Sequence, residues 1–135
     1  MSEKKSILVV DDDPDALAIA ESVLSELENV EITTASDGHV GVARAKASPP
    51  DLMLLDVEMP GMTGFNVFAE LKSDETTKNI AVIMVTGVSE KTGISFSADD
   101  MGEFFGKEPE AYLEKPVDPQ KLLATVRQVL DLPAG

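Results

Sequence analysis

The chain has 135 residues, of which 43% are apolar, and its 25 acidic and 11 basic residues give a net charge of −14. This length suits one ordinary domain, so residues 1–135 are expected to form a single domain without an output domain. Such an acidic surface argues against binding to DNA or RNA, and it suits either solubility or a basic partner. The lack of cysteine excludes disulfides, thiolate catalysis and cysteine-based zinc sites, and the lone His39 excludes sites built on two histidines.

The apolar runs are too short for a membrane-spanning segment or a secretion signal. A membrane helix needs about 18 consecutive apolar residues, and no run approaches that length. The first apolar run, Ile7–Val10, follows the charged start MSEKKS and is shorter than the core of a signal peptide. The sequence therefore predicts a cytoplasmic protein that has no membrane partner.

Short apolar runs alternate with stretches of helical periodicity. Continuous apolar runs bounded by polar residues are typical of strands buried on both faces, whereas apolar residues three or four positions apart indicate a helix. In chain order, the patterns predict strand Ile7–Val10, a helix with Ala16, Ala20, Val23, Leu24 and Leu27 on one face, strand Ile32–Ala35, helix Gly38–Lys46, strand Leu52–Leu55, helix Phe65–Lys72, strand Ile80–Val85, strand Ala111–Leu113, and a helix with Leu122, Leu123, Val126, Val129 and Leu130 on one face. Strand and helix alternate about five times, so we expect an α/β fold with a doubly wound parallel sheet.

Capping residues mark the starts of two of these helices. Asp118 is a predicted N-cap, and Pro119 after it suits the first helical position. Asp13 stands before Pro14 in the same relation, so a capping role is the ordinary interpretation of that carboxylate.

The segment Gly87–Pro109 is the one irregular stretch. Four glycines and a proline interrupt it, and each glycine inside a helix costs about 1 kcal/mol relative to alanine. Only Ser97–Phe105 has a helical pattern, with Met101, Phe104 and Phe105 as a short apolar face. We expect a long loop followed by one to three turns of helix.

Polar residues follow four of the predicted strands directly. Asp11, Asp12 and Asp13 follow the first strand, Asp56 the third, Thr86 the fourth and Lys115 the fifth. In an open α/β sheet, ligands gather beyond the carboxyl ends of the strands, so these groups are predicted to converge on one edge. Singly, each has an ordinary structural explanation as a cap, a turn residue or a solvated side chain, and their joint placement is what indicates a site.

The chemistry of these groups suits phosphoryl transfer. Clustered carboxylates repel one another, and a hard cation such as Mg²⁺ relieves that repulsion by binding their oxygens. A carboxylate beside the cation can attack phosphorus and form an acyl phosphate. Lys115 would neutralise one phosphoryl oxygen, and the Thr86 hydroxyl would donate a hydrogen bond to another.

The motifs ILVVDDDPD, MLLDVEMPGMTG, VTG and YLEKP together resemble the receiver domain of two-component response regulators, and the likeness runs through nearly the whole chain. Among receivers the single-domain, chemotaxis-regulator type fits best. The resemblance implies that Asp11, Asp12, Asp56 and the backbone carbonyl of Glu58 bind Mg²⁺, and that Asp56 is the phosphoacceptor. It makes Thr86 and Lys115 the other catalytic residues.

The same resemblance implies further features. Thr86 and Tyr112 would be the switch residues, and the Lys115–Pro116 bond would be cis. The fold would be flavodoxin-like with strand order 2-1-3-4-5, an order that is known for receivers and does not follow from the spacing of the residues.

Three departures from the family pattern concern the region of its fourth helix. Gly87 follows the switch hydroxyl where receivers usually carry alanine, and Lys115 follows Thr86 by 29 positions, about two helical turns more than the family pattern. The usual Gly-Ala-Asp-Asp run is replaced by Lys-Glu-Pro-Glu-Ala. An atypical fourth-helix region is therefore expected, together with an altered partner surface.

The predicted function is that of a stand-alone response regulator. A histidine kinase or phosphotransfer protein would donate a phosphoryl group to Asp56 in a Mg²⁺-dependent reaction, and the phosphoprotein would bind a downstream protein target. It would not be an enzyme in the usual sense, because it would catalyse only its own phosphorylation and dephosphorylation. Two alternatives stay open: a pseudo-receiver that binds partners without phosphorylation, and an aspartyl-phosphate phosphatase with Glu58 as its general acid/base.

Overall fold

A computed structural model describes residues 4–59, 62–86, 110–115 and 117–131 of the chain. The strands are β1 (Lys5–Val10), β2 (Val30–Ala35), β3 (Leu52–Asp56), β4 (Ala81–Thr86) and β5 (Ala111–Glu114). The helices are α1 (Pro14–Leu24), α2 (Gly38–Ala47), α3 (Gly64–Lys72) and α4 (Pro119–Leu130).

The five strands form one parallel sheet in the order β2-β1-β3-β4-β5. The order confirms the predicted doubly wound, flavodoxin-like fold. Strand β3 lies at the centre and all five of its residues are buried, which is why its sequence is a continuous apolar run with no alternation. The edge strand β2 alternates between half-buried and exposed residues along most of its length.

Two apolar layers cover the sheet, one on each face. One contains the inner faces of α2 and α3, with Phe68 and Leu71 fully buried against Met53 and Leu55 of β3. The other contains α1 and α4, with Leu24 and Val126 against Leu52 and Ile83. Alternate residues of β3 supply the two layers, and helices therefore cover both faces of the strand that ends in Asp56.

Each helix begins at a side chain that satisfies free backbone N–H groups. Asp13 and Asp118 accept hydrogen bonds from Asp15 N and Gln120 N, and each precedes a proline at the first helical position, as the sequence predicted. At the start of α3, Thr63 and Asn66 form a reciprocal capping box. These caps fix where the loops beyond the strands turn back into helices.

Some predicted boundaries differ from the structure. Helix α1 ends at Leu24 and does not reach Leu27, because the chain tightens there into three-residue turns: Leu27 N donates to Leu24 O at 3.0 Å. Leu27 is still buried on the predicted side, since a step of three positions nearly preserves the helical face. Strand β4 begins at Ala81 because the N–H of Ile80 is held in a turn by Thr77 O at 3.1 Å.

The predictions for Gly87–Pro109 and for the Lys115–Pro116 bond fall outside the described residues. No helix within the described ranges is long and apolar enough to cross a membrane.

Candidate functional site

The carboxyl ends of the strands bring the predicted site residues to one edge of the sheet. Asp56 is the last residue of β3 and pairs with Val85 of β4, while Thr86 ends β4 and pairs with Glu114 of β5. Asp11 follows β1 immediately and Lys115 follows β5. Backbone hydrogen bonds keep this edge in register, since Val57 N donates to Val85 O at 2.9 Å and Lys115 N to Thr86 O at 2.7 Å.

Three carboxylates form the centre of the site. Asp11, Asp12 and Asp56 each offer an oxygen within 4.8 Å of the others. Asp11 and Asp56 are buried, at 6% and 3% exposure, whereas Asp12 is exposed at the rim. The three residues therefore form a cup with two carboxylates at its base and one at its edge.

The ammonium group of Lys115 bridges the two buried carboxylates. Its Nζ lies 3.1 Å from Asp11 Oδ2 and 3.3 Å from Asp56 Oδ1. Burial lowers the pKa of Lys115, but the contacts with Asp11 and Asp56 outweigh it, so the net pKa lies above its usual value and the side chain stays charged. One positive charge thus partly neutralises two negative ones.

The two buried carboxylates differ in how well they are satisfied. Asp11 Oδ1 accepts the N–H of Asp13 at 2.9 Å, and its other oxygen meets Lys115. Asp56 Oδ1 is fully buried and accepts no hydrogen bond from any described residue, and its contact with Lys115 is an ion pair. A buried oxygen without a hydrogen-bond donor is costly unless a ligand completes it.

This environment makes Asp56 an unusual acid. Burial, and then the negative charge of Asp11, raise its pKa from 3.8 to about 7, against the opposing influence of Lys115 and of the Glu58 backbone N–H. Without a further cation, Asp56 is therefore partly protonated near neutral pH. A cation bound within the cup would favour the ionised, nucleophilic form.

The residues fit a Mg²⁺ ion. The set consists of carboxylate oxygens, which this hard cation prefers, and it includes one buried oxygen that lacks a hydrogen-bond donor. The exposed position of Asp12 leaves room for water on the open side of such an ion. Glu58, whose carbonyl is the predicted further ligand, is an exposed residue two positions beyond Asp56, and its N–H contacts the Asp56 carboxylate. The role of its carbonyl stays a prediction.

The two predicted switch residues lie in different parts of the sheet, one at the site edge and the other on a face. The half-buried Thr86 hydroxyl donates to Leu113 O across the β4–β5 pair at 3.4 Å, a long and weak bond. Tyr112 is half-buried and packs against the apolar layer of α2 and α3. Thr86 is therefore at the site edge, whereas Tyr112 is on the face of the sheet behind it.

One site feature that the sequence reasoning missed is Gly64, the first residue of α3. A β-carbon there would lie 2.5 Å from Asp56 O and 2.8 Å from Val57 Cα, so only glycine lets α3 start against this loop. The N–H of Gly64 also donates to Val57 O at 2.9 Å. The available signal was the glycine that closes the MLLDVEMPGMTG motif, directly before a helical pattern.

Asp13, the last residue of the acidic run, has a capping role. Its side chain caps α1 and it does not belong to the carboxylate cup, as the ordinary interpretation predicted. The capping prediction for Asp13 is confirmed, and the metal-binding roles of Asp11 and Asp12 stay predictions.

Comparison with known proteins agrees with this geometry. Residues 7–127 match the response regulator receiver domain family. The chain is 36% identical over 126 residues to protein PilH of Pseudomonas aeruginosa, covering 92% of this chain and 96% of PilH. It is 38% identical over 127 residues to response regulator PleD of Caulobacter vibrioides, covering 91% of this chain and 25% of PleD. The chain thus spans only a quarter of PleD, and 48% of the transcriptional regulator RpaA of Synechocystis.

Solved structures of receivers share the fold. A CheY-like receiver domain protein from Methanospirillum hungatei superposes with a TM-score of 0.80 at 29% identity, covering 96% of this chain and 95% of that one. Chemotaxis protein CheY4 of Vibrio cholerae gives a TM-score of 0.77 at 28% identity, covering 93% and 98%. Together with the strand order and the acidic edge of the sheet, these matches show that the chain belongs to the response regulator receiver domain family, with a CheY-like fold.

Proposed function

We propose that this receiver accepts a phosphoryl group on Asp56 from a histidine kinase or phosphotransfer protein, in a reaction that depends on Mg²⁺. The observation that carries the proposal is the state of the Asp56 carboxylate: buried, without a hydrogen-bond donor on Oδ1, and 3.3 Å from a lysine ammonium. A carboxylate with only a structural role would accept hydrogen bonds from backbone or side-chain donors, as Asp13 does from Asp15 N.

Each residue has a defined part in this reaction. An oxygen of ionised Asp56 attacks phosphorus, and the bond between phosphorus and the donor imidazole nitrogen breaks. Lys115, already beside Asp56, offers its positive charge to the incoming phosphoryl oxygens. Receivers bind Mg²⁺ in an acidic pocket, and here Asp11, Asp12 and Asp56 would hold the ion, with the Glu58 carbonyl as a further ligand. Bound there, Mg²⁺ would supply charge neutralisation to the transferring group.

Phosphorylation is proposed to act on the protein through Thr86 and Tyr112. The present bond of the Thr86 hydroxyl is 3.4 Å long, so exchanging Leu113 O for a phosphoryl oxygen would sacrifice little. Tyr112 lies two residues along β5 from Glu114, the pairing partner of Thr86, and would turn inward when the hydroxyl moves. The equilibrium between the two arrangements would set the affinity for a downstream protein target.

The proposal includes no enzymatic activity on a separate substrate. The domain would catalyse only its own phosphorylation and dephosphorylation. It would work in the cytoplasm and would signal through protein binding, with no direct contact with nucleic acid; its strongly acidic composition is consistent with a protein partner.

Phosphorylation by acetyl phosphate tests the proposal directly. Intact-mass measurement should show one added phosphoryl group in the presence of Mg²⁺ and none when the metal is chelated. Asp56→Asn should abolish the addition, since the amide lacks the attacking anion. Asp131→Asn is a matched control, because Asp131 is exposed, lies outside the cup and has a left-handed φ of 57° that asparagine tolerates.

The same experiment distinguishes the alternatives. A protein that responds to Mg²⁺ but never gains mass is a pseudo-receiver. Continuous release of phosphate from an added aryl phosphate, lost in Glu58→Gln, would identify a phosphatase. A stable phosphoryl group on Asp56→Asn protein would show that Asp56 is not the acceptor.

A further inference from the structure

An apolar cavity of about 430 Å³ opens beside the site, between α1 and the start of α4. Its lining comes from the ends of the central strands and from both helices, and includes Val9, Leu54, Val85, Ala16, Ala20 and Leu122. A volume of this size is within the range that small-molecule sites occupy in proteins. Its inner end is bordered by Asp11, Asp56 and Lys115 of the candidate site, whereas the proposed phosphoryl transfer does not use the apolar part between the two helices.

The cavity results from small side chains on α1. Ala16 and Ala20 are four positions apart, so they share one face of the helix, and that face lines the cavity. Both alanines are half-buried, whereas Leu24, one turn later, is fully buried. Ile19 stands at the opening with 61% of its surface exposed, although large apolar side chains are usually covered.

The polar groups of the cavity are predominantly acidic. Among the described residues of the lining, Asp11, Asp13, Asp15 and Asp56 are acidic and Lys115 is the one basic side chain. Asp13 and Asp15 are exposed at the rim and form no ion pair with any residue in the described ranges. At the inner end, the carboxylate of Asp56, a residue that is 3% exposed and lies 3.3 Å from Lys115 Nζ, forms part of the cavity wall.

The geometry points to this cavity as a binding site for a small organic cation with an apolar body, such as an alkylammonium. The apolar body lies between α1 and α4 over Leu54 and Val85, and the ammonium group lies at the rim near Asp13 and Asp15. An anionic ligand is disfavoured by the four carboxylates, and a cationic ligand gains an attraction to the rim carboxylates of Asp13 and Asp15 that a neutral ligand lacks. The inference goes beyond the proposed function, because binding requires no phosphoryl transfer.

Calorimetric titration with ligands of one shape and different charge tests the chemical class. Hexylammonium should bind more tightly than hexanol by about fivefold, the worth of a favourable exposed ion pair, and hexanoate should not bind. Shortening hexylammonium to butylammonium should weaken binding by about fourfold for each methylene removed, since each buried methylene contributes about 0.8 kcal/mol. Affinity that is independent of chain length, or hexanoate binding equal to hexylammonium binding, would overturn the assignment.

Two substitutions locate the site. Ala20→Leu fills the cavity and should lower hexylammonium affinity at least tenfold, whereas Ala43→Leu, on the exposed side of α2, should leave it unchanged. Asp15→Asn should lower hexylammonium affinity and leave hexanol affinity as it was. Equal losses in Ala20→Leu and Ala43→Leu would contradict the location.

A second copy of the chain is the competing occupant. If the opening around Ile19 is covered in a dimer, sedimentation should show concentration-dependent dimerisation that Ile19→Ala removes, and hexylammonium should not bind. That result would replace the ligand site with an interface. A monomer that binds hexylammonium with the expected chain-length dependence supports the site.

Discussion

The two faces of the sheet are packed differently around the same strand. On the face of α2 and α3, the helices approach so closely that a β-carbon at Gly41 would lie 2.9 Å from Val10 Cγ2. On the face of α1 and α4, Ala16 and Ala20 leave a cavity open. Asp56 stands at the junction: its backbone is pressed by Gly64 from the tight face, and its carboxylate borders the cavity of the open face.

The two differently packed faces meet two different requirements of a phosphoacceptor. A nucleophile must be held in position, and close packing of α3 on the loop after β3 restricts the Asp56 backbone. It must also be reached by a donor, and the open face leaves space beside its carboxylate. The predictions below alter the junction, then each face, and finally the carboxylate cup.

The largest effect is expected from neutralising Asp56. Its pKa of about 7 in the folded protein lies above 3.8, so the folded state holds the proton more tightly than the unfolded one. The associated stability is present below about pH 4 and is lost as the pH rises towards 7. Asp56→Asn has no proton to lose, so without metal it should exceed the wild type in stability at pH 8 by up to a few kcal/mol.

Urea unfolding of both proteins from pH 4 to pH 8 in the presence of a chelator measures this difference. The gap between the two stabilities should widen with pH across that range. Asp51→Asn is unsuitable as a control because its side chain accepts a hydrogen bond from Ser6 N, so Asp131→Asn serves instead. A gap that stays constant or narrows with pH would contradict the raised pKa.

Adding the same side chain to each face should give opposite results. Gly41→Leu forces a side chain against Val10 on the tight face and should destabilise the protein by about 1–3 kcal/mol. Ala20→Leu extends into the cavity and should change stability by less than about 0.5 kcal/mol or increase it. Thermal unfolding of the pair measures the contrast, and equal losses would mean that the two faces are packed alike.

A single methyl group on the tight face should disturb the acceptor. In Gly64→Ala, the new β-carbon meets the carbonyl oxygen of Asp56 and the α-carbon of Val57, which are backbone atoms that cannot rotate away. We expect a loss of about 1–2 kcal/mol and a slower rate of phosphorylation by acetyl phosphate. Gly41→Ala is the matched control, since the atoms nearest to its β-carbon would belong to the Val10 side chain and not to the loop. If Gly64→Ala is phosphorylated at the wild-type rate, displacement of the loop does not affect the reaction of Asp56.

How much of this could be predicted from the sequence depended on how local each feature is. The order of elements, the buried run of β3, the Asp13 and Asp118 caps and the convergence of Asp11, Asp56 and Lys115 follow from local patterns together with the rule that parallel strands end on one edge. The structure confirms each of them. The strand order needed the family resemblance, because alternation of strands and helices does not fix which strands are neighbours.

The features that were missed depend on contacts between distant parts of the chain. The close approach of α3 to the end of β3 at Gly64, and the cavity beside Ala20, arise from how two separate elements meet, and neither has a periodic signature. The end of α1 was misplaced for the opposite reason: Leu27 keeps the apolar spacing although the helix has already tightened into turns. The apolar spacing therefore indicates which side chains face the core. It does not show where the backbone leaves helical geometry, because that depends on packing.

The smallest effect concerns the cup itself. Oxygens of Asp11, Asp12 and Asp56 lie within 4.8 Å of one another and Lys115 contacts only two of these residues, so Mg²⁺ should bind the folded state and raise its melting temperature through linkage. At ten times its dissociation constant, an ion that binds only the folded state adds about 1.4 kcal/mol, or about 4 °C for a domain of this size.

Asp12→Ala should reduce this shift, because Asp12 contributes a carboxylate without being needed in the core. Asp15→Ala removes an exposed carboxylate near the cup but outside it and should keep the shift. Differential scanning fluorimetry over a Mg²⁺ series measures all three proteins, and the shift should grow with pH as Asp56 ionises. A melting temperature indifferent to Mg²⁺ in the wild type, or an equal loss of the shift in both variants, would mean that the carboxylates do not form a metal site.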